Sequence, residues 1–417
     1  MQFLRLIIVL FSIPCLLSGQ DFVRYNNVYQ PTIKSVLFTI PGLYTSAPIV
    51  NLGGGRLYLS FDELANDARY LRYRIEHCNR DWTPSDLEQM EFMEGFNDEE
   101  LRTVEFSVNT RVPYAHYELQ IPNQDFRWTK SGNYLLHVYD EDTGEPMLTR
   151  RFMVMENIVK VIATLKKPAD VSKINTHHEI EFTVNHKDFP ISNPRQEVSA
   201  TVLQNYRWDN AITGVEPYLV QPDELVFNYL DRLVFPAGKE FRSVDIRNLR
   251  FPSQNVAEVD RFASTPEVKM KPDEKRTYQN YHLEPDINGW FVIKTNEDDD
   301  SDVEADYAHI LFSLESAQPL FDQDVYLVGG FCDWQINPAY KMEYEDRYSA
   351  YFGEAILKQG VYDYIYAAVP KDGGTPDFEI LEGNWHETEN YYTILIYYRP
   401  FGQRYDRLIG VTTISQK

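Results

Sequence analysis

The feature that most narrows the fold of this chain is a period-two alternation of apolar and polar side chains, repeated almost from end to end. In "RLYLSF" (residues 56–61), Leu57, Leu59 and Phe61 share one face. In "YLRYRIEH" (70–77), Leu71, Tyr73 and Ile75 point one way and Arg72, Arg74 and Glu76 the other. "GNYLLHVYD" (132–140) and "TRRFMVME" (149–156) continue the pattern, joined by a turn through Asp142-Thr143-Gly144. Side chains alternate faces along a strand, whereas a helical face recurs every three or four residues. Strands of this length, separated by turn signals, predict an all-β chain of serial antiparallel Ig-like or early-set β-sandwiches. Helix signal is weak, and only "DLEQMEFM" (86–93), after Pro84-Ser85, suggests one or two turns.

The alternation divides into three sandwich-sized units. The first covers residues 21–157. The second, 158–295, holds "VKVIATLKKP" (159–168) and "HEIEFTVNH" (178–186), with a further strand pair in "AGKEFRSVDIRNLRF" (237–251). Residues 254–280, with Pro266, Pro272 and many charges, read as a long surface loop. The third unit, 296–417, follows the acidic run "NEDDDSDVEAD" (296–306).

Ahead of these units stands "MQFLRLIIVLFSIPCLLSGQD". Arg5, an apolar run and the small residues Ser18-Gly19 form a signal-peptide pattern over residues 1–20, cleaved near Gly19–Asp21. Cys15 follows Pro14 inside the apolar run, which argues against a lipoprotein site. No later run approaches the roughly 18 apolar residues of a spanning helix. The expected product is an exported chain. Outward-facing charges at 72, 74 and 76 oppose a transmembrane barrel, whose strands turn an apolar face to lipid.

With 63 acidic and 40 basic residues, the net charge is −23. Such a field repels nucleic acid and anionic lipid head groups. Twenty-nine tyrosines among 14% aromatics are too many rings for a disordered chain and suit half-buried sheets. Beyond the leader only Cys78 and Cys332 remain, too few for a disulfide scaffold. Two reduced or buried thiols are expected.

Reactive constellations are sparse. "YRIEHCNRDWTPSDLEQMEFMEGF" (73–96) places His77, Cys78, Asp81 and Trp82 within six positions. Adjacent strand residues face opposite ways, so His77 and Cys78 are poorly placed to share a metal. A turn at Asn79-Arg80-Asp81, with Trp82 folding back on the core, accounts for the segment. Gly53–Gly55 lacks a phosphate-loop lysine and leads into a strand. His178 and His186 lie roughly 26 Å apart on an extended strand, too far for shared coordination. Asp298, Asp300 and Asp302 match the first positions of a calcium loop. The glycine at loop position six is missing, however, and His309 stands where the bidentate Glu belongs, so the run reads as a solvated linker. No G-x-S-x-G elbow occurs. No catalytic residue, metal ligand or cofactor is assigned.

"VYLVGGFCDWQINPAYKM" (325–342), followed by "GVYDYIYAAV", resembles the carbohydrate-binding early-set modules found beside glycogen-processing enzymes. That resemblance makes Trp334 the candidate for stacking on a sugar ring, with Tyr340 or Trp385 as neighbours. The alternative is that Phe331 and Trp334 pin a strand corner without binding sugar.

The first unit also carries, in order, "LYLSFDEL", "YRIEHCNRDWTPSDL", "EFMEGF", "FSVNT", "YAHYELQIPN", "SGNYLLHVYD" and "LTRRFMVME". This string resembles the type IX secretion system plug proteins of Bacteroidota, densely over residues 30–157. "GKEFRSVDIRNLRF", "EADYAHILFSL" and "GGFCDWQINPAYKM" extend it along nearly the whole mature chain. The resemblance implies a non-enzymatic periplasmic protein that seals the periplasmic end of a SprA-type giant outer-membrane barrel. It implies release when a PorV-type shuttle protein binds. The signature reads mainly as fold-defining, with Trp82 and Phe96 expected in the core. A glycan-binding exported protein using Trp334 is the competing function.

Overall fold

The computed structural model describes residues 22–416, so the leader and its cleavage point lie outside the described residues. The all-β expectation holds: every layer is a largely antiparallel sheet, and the α-helices are single four-residue turns such as Gln89–Phe92.

In the first sandwich one sheet runs Asn27–Val28, Pro146–Met155, Gly132–Asp140, Leu71–Cys78, Glu99–Glu100, with Ile49–Asn51 added parallel to Pro146–Met155. The facing sheet runs Ile33–Thr39, Leu57–Glu63, Ala115–Ile121, Thr103–Phe106. The predicted alternation sets the core. Leu57, Leu59 and Phe61 pack with Tyr73, Ile75, Tyr134 and Leu136, and the rings of Tyr134 and Phe152 stack at 5.1 Å. Aromatic and branched side chains fill this interlayer space because each removes a large apolar area from water.

The middle sandwich departs from the sequential division. One of its sheets, Lys160–Lys166, His177–Asn185, Glu224–Phe227, Leu219–Val220, comes from the expected stretch. The other runs Ile212–Val215, Val198–Gln204, Tyr391–Tyr398, Arg407–Ser415, so the end of the chain returns to complete it. Val198 pairs with Tyr398 and Gln204 with Tyr392, and Ile394 and Ile396 enter the same core as Phe182 and Phe227.

The third sandwich is therefore inserted into the middle one. It begins before residue 296, because Arg242–Asp245 pairs with Gly360–Pro370 and not with the middle sheets. The boundaries expected at 295 and 296 are corrected accordingly. The stretch 254–280 is corrected too: Val256–Asp260 and Glu267–Met270 form a hairpin, and the second strand runs parallel to Tyr307–Glu315. Its many charges face outward, while Val256, Val268 and Met270 are buried. That alternation is masked by the prolines around it.

The sandwiches are bonded through cores of their own. The outer face of the first sheet supplies Cys78, Leu135 and Met153, which pack on Leu203, Leu395, Tyr397 and Leu408 of the middle sandwich. Strands buried on both faces lose the polar half of their pattern, and Gly132–Asp140 shows it, with all but one residue buried.

Candidate functional site

The "HCNRDW" segment lies at the seam between first and middle sandwiches. His77 faces the first core. Its Nδ1 is 2.8 Å from Ser85 Oγ and its Nε2 is 3.1 Å from the Ser131 carbonyl oxygen. A carbonyl only accepts, so Nε2 carries the proton and Nδ1 accepts from Ser85. Burial pushes this imidazole down to about 4. Cys78 points the opposite way, into the seam, where burial pushes its thiol up to about 12. A neutral imidazole and a protonated thiol on opposite faces of one strand cannot act as base and nucleophile together.

Asn79 through Trp82 form the expected turn, with the Trp82 N–H donating to the Asn79 carbonyl at 2.9 Å. Asp81 Oδ1 accepts from the Thr83 N–H at 3.0 Å. Trp82 has φ +67, which carries its indole away from its own core. It is buried, but against Trp208 of the middle sandwich at 5.0 Å, edge to face. The turn is held from the far end of the chain. The Arg80 N–H donates to Asp406 Oδ2 at 3.0 Å, and Tyr397 Oη donates to Asn133 Oδ1 at 2.8 Å. None of these partners is adjacent in sequence.

Beside the turn, a cavity of about 390 Å³ opens where all three sandwiches meet. Arg150, Arg151, Tyr206, Trp208, Trp290 and Trp334 contribute to its wall. Trp334 reaches it from a tight corner: Gly330–Cys332 is a 3₁₀ turn, and Asp333 and Trp334 both take positive φ. Gly289, at φ +82, lets the indole approach, since a Cβ there would stand 2.3 Å from Trp334 Cζ2. The Arg207 guanidinium sits 4.0 Å over the Trp334 ring. Asp333 pairs with buried Arg150 at 3.1 Å, and Gln335 Nε2 donates to the Asn26 carbonyl, so this loop clasps the first sandwich.

The aromatic platform that the alternative sugar-stacking reading of Trp334 would require does not assemble from Tyr340 and Trp385. Tyr340 packs edge-on against Phe331 at 5.2 Å, and Trp385 lies against Lys239. The ring nearest to Trp334 is Phe241 at 5.5 Å. A guanidinium already occupies the stacking distance that a sugar would use.

A family profile described as "Type 9 secretion system plug protein 1st domain" matches residues 33–156. A crystal structure of a hypothetical protein from Parabacteroides merdae superposes with TM-score 0.90 at 34% identity, covering 94% of this chain and 99% of that one. The chain belongs to the type IX secretion system plug protein family. A biofilm-associated protein BSP domain (9% identity, TM-score 0.17, covering 96% of this chain and 61% of that one) is too distant to inform the fold. No curated protein matches.

For a plug-family protein the signature residues can now be placed. Trp82 is buried as expected, though at a seam between sandwiches. Phe96 is a correction: it is 74% exposed, because Gly95 at φ +101 turns the chain against the Asp125 carbonyl and aims the next residue outward. Met90, in the same signature stretch, is 90% exposed, while Phe92 and Met93 between them are buried. Sequence reasoning also missed Arg151, Trp208, Tyr397 and Asp406, whose partners lie in other sandwiches. A basic side chain among apolar strand positions, as Arg151 is in "TRRFMVM", was the one available signal.

Proposed function

We propose that this plug-family protein is a non-enzymatic periplasmic component of type IX secretion. In this reading it seals the periplasmic end of a SprA-type giant barrel and leaves when a PorV-type shuttle protein engages. The observation that carries the reading is the family match over residues 33–156, together with a relative that is similar along nearly the whole chain. Among the described residues no helix is long and apolar enough to cross a membrane.

The architecture supports a sealing role on physical grounds. A stopper must keep its shape against a wide lumen, and a third sandwich inserted into a middle one that is itself joined to the first by an apolar seam resists hinge motion better than beads on linkers. It must also be releasable. Reversible interfaces are polar at the rim, with a few aromatic anchors, and Phe96 and Met90 offer exposed apolar contacts on the family-matched sandwich.

The test is to tag the chain beyond Lys417, crosslink in intact cells and identify what copurifies from the envelope. Recovery of the giant barrel without the shuttle protein is the expected outcome. Recovery of no barrel, with retention on a glycan column that is lost in Trp334→Ala, would replace the reading with the sugar-binding one.

A further inference from the structure

Asp62 and His116 are direct cross-strand partners in the first sandwich, and Glu118 lies two residues beyond His116 on the same face. That face is turned away from the first core and is covered by the third sandwich. His116 Nδ1 is 2.6 Å from Asp62 Oδ1. Asp62 Oδ2 in turn accepts from Tyr307 Oη at 2.6 Å and from Lys358 Nζ at 2.8 Å. With Nδ1–H committed to a carboxylate, Nε2 is the ring position left for a ligand. This is the arrangement in which metal-binding histidines are commonly held. Burial lowers the imidazole, but the carboxylates of Asp62 and Glu118 outweigh it and raise it to about 9, so a cation there would displace the Nε2 proton.

His116 is 4% exposed, yet its Nε2 has no hydrogen-bond partner. It looks out on two carboxylates. Glu118 Oε1 is 3.4 Å away without hydrogen-bond geometry, and ligand atoms of His116, Glu118 and Asp302 all fall within 4.8 Å of one another. Ligands about 2.1 Å from a tetrahedral centre stand roughly 3.4 Å apart. His116 and the half-buried Glu118 therefore already have the required spacing, and the exposed Asp302 side chain lies within reach of both.

Asp302 is held in place by its backbone. Its carbonyl accepts from Lys358 Nζ at 2.6 Å and from Tyr114 Oη at 3.2 Å, and the next residue fixes the segment through Val108 N–H to Val303 O at 2.8 Å. Three carboxylates, Asp62, Glu118 and Asp302, face one ammonium, Lys358. Once the proton of the His116 imidazolium is displaced, two negative charges are left over and match one divalent cation.

We propose that His116 Nε2, Glu118 and Asp302 bind a divalent transition-metal cation of the zinc class, tying the first sandwich to the acidic segment of the third. The imidazole nitrogen selects this class over calcium and magnesium, which prefer all-oxygen sets. Three protein ligands leave a further position for water or for a partner's side chain.

The experiment uses the full mature chain, stripped with a chelator, reloaded with zinc chloride and desalted. Elemental analysis and thermal melting are then read together. Stoichiometric zinc and a raised melting temperature are expected, since a ligand bound only to the folded state stabilises it. Glu118→Gln and Asp302→Asn should each weaken zinc binding by about tenfold or more. Both side chains reach solvent, so the metal-free melting temperature should stay near that of the parent, which separates loss of the site from loss of the fold. Failure of the parent chain to retain zinc would overturn the proposal. So would equal retention by the double variant, which would place the metal elsewhere, or a stabilisation produced by calcium and not by zinc.

Discussion

The guanidinium of Arg151 lies 4.2 Å over the ring of Trp82 and 5.0 Å from that of Trp208. Its Nε donates to the Arg24 carbonyl at 2.8 Å, and burial lowers its pKa to about 10. Among the described residues it has no carboxylate partner. Two indoles from different sandwiches thus supply the negative surface that a desolvated cation needs. Arg151→Lys keeps the charge but loses the planar stack. It should cost about 1–2 kcal/mol, read as a lower denaturant midpoint with a change in tryptophan emission.

Gly289→Ala should do more damage. The new Cβ would stand 2.3 Å from the Trp334 ring at a backbone φ of +82. Strain and overpacking together predict a loss of about 3 kcal/mol. Thermal unfolding measures it, and an unchanged melting temperature would mean that the Trp334 corner is looser than described.

Neither thiol should react in the folded protein. Burial pushes both Cys78 and Cys332 up to about 12, so almost no thiolate exists near neutrality. A chromogenic disulfide reagent at pH 8 should label neither until denaturant is added, and rapid labelling of the native chain would contradict the assignment.

Two buried histidines should cost the fold stability in acid, partly offset by Asp363, whose carboxyl burial raises to about 7 and which gains stability as pH falls over the same range. His77 and His178 are held down to about 4 by burial, against about 6.5 in the unfolded chain. Their folded-state values are depressed, so as pH falls below 6.5 the unfolded state takes up protons that the native state refuses. Stability then drops until about pH 4, by up to about 3 kcal/mol for each residue. Urea unfolding at pH 7 and pH 5 should show it. His178→Gln, which removes the ring that accepts from Tyr392 Oη and donates to the His386 carbonyl, should flatten that pH dependence while lowering the pH 7 baseline.

Phe96→Asp should leave the unfolding free energy within about 0.5 kcal/mol of the parent, since the side chain is exposed. If the "EFMEGF" stretch touches the translocon, the same substitution should reduce barrel recovery in the crosslinking experiment.

Strand identity was legible because burial on one face enforces alternation, as at Leu57, Leu59 and Phe61. The boundaries of the sandwiches were not. Tyr391–Tyr398 reads as a strand wherever it belongs, and only its pairing with Val198–Gln204 reveals the insertion. The His116–Glu118 spacing was visible in "YAHYELQ", but its third member lies far along the chain, in a run whose charges read as a linker. Phe96 misled because an aromatic after glycine looks like a core plug, whereas the positive φ at Gly95 aims it at solvent. Trp334 was legible as a residue pinning a strand corner, but the arginine that covers it comes from another sandwich and was not.

The returning C-terminal strands also set an order of assembly. A polypeptide emerges N-terminus first, and Val198–Gln204 must then wait with one edge unpaired while the entire third sandwich is made. An open edge of that kind invites pairing with other chains. Closure comes only with Arg407–Ser415, which joins the sheet last and carries Leu408 to the seam against Cys78 and Met153. A chain cut short anywhere before that strand would be left with two unfinished surfaces.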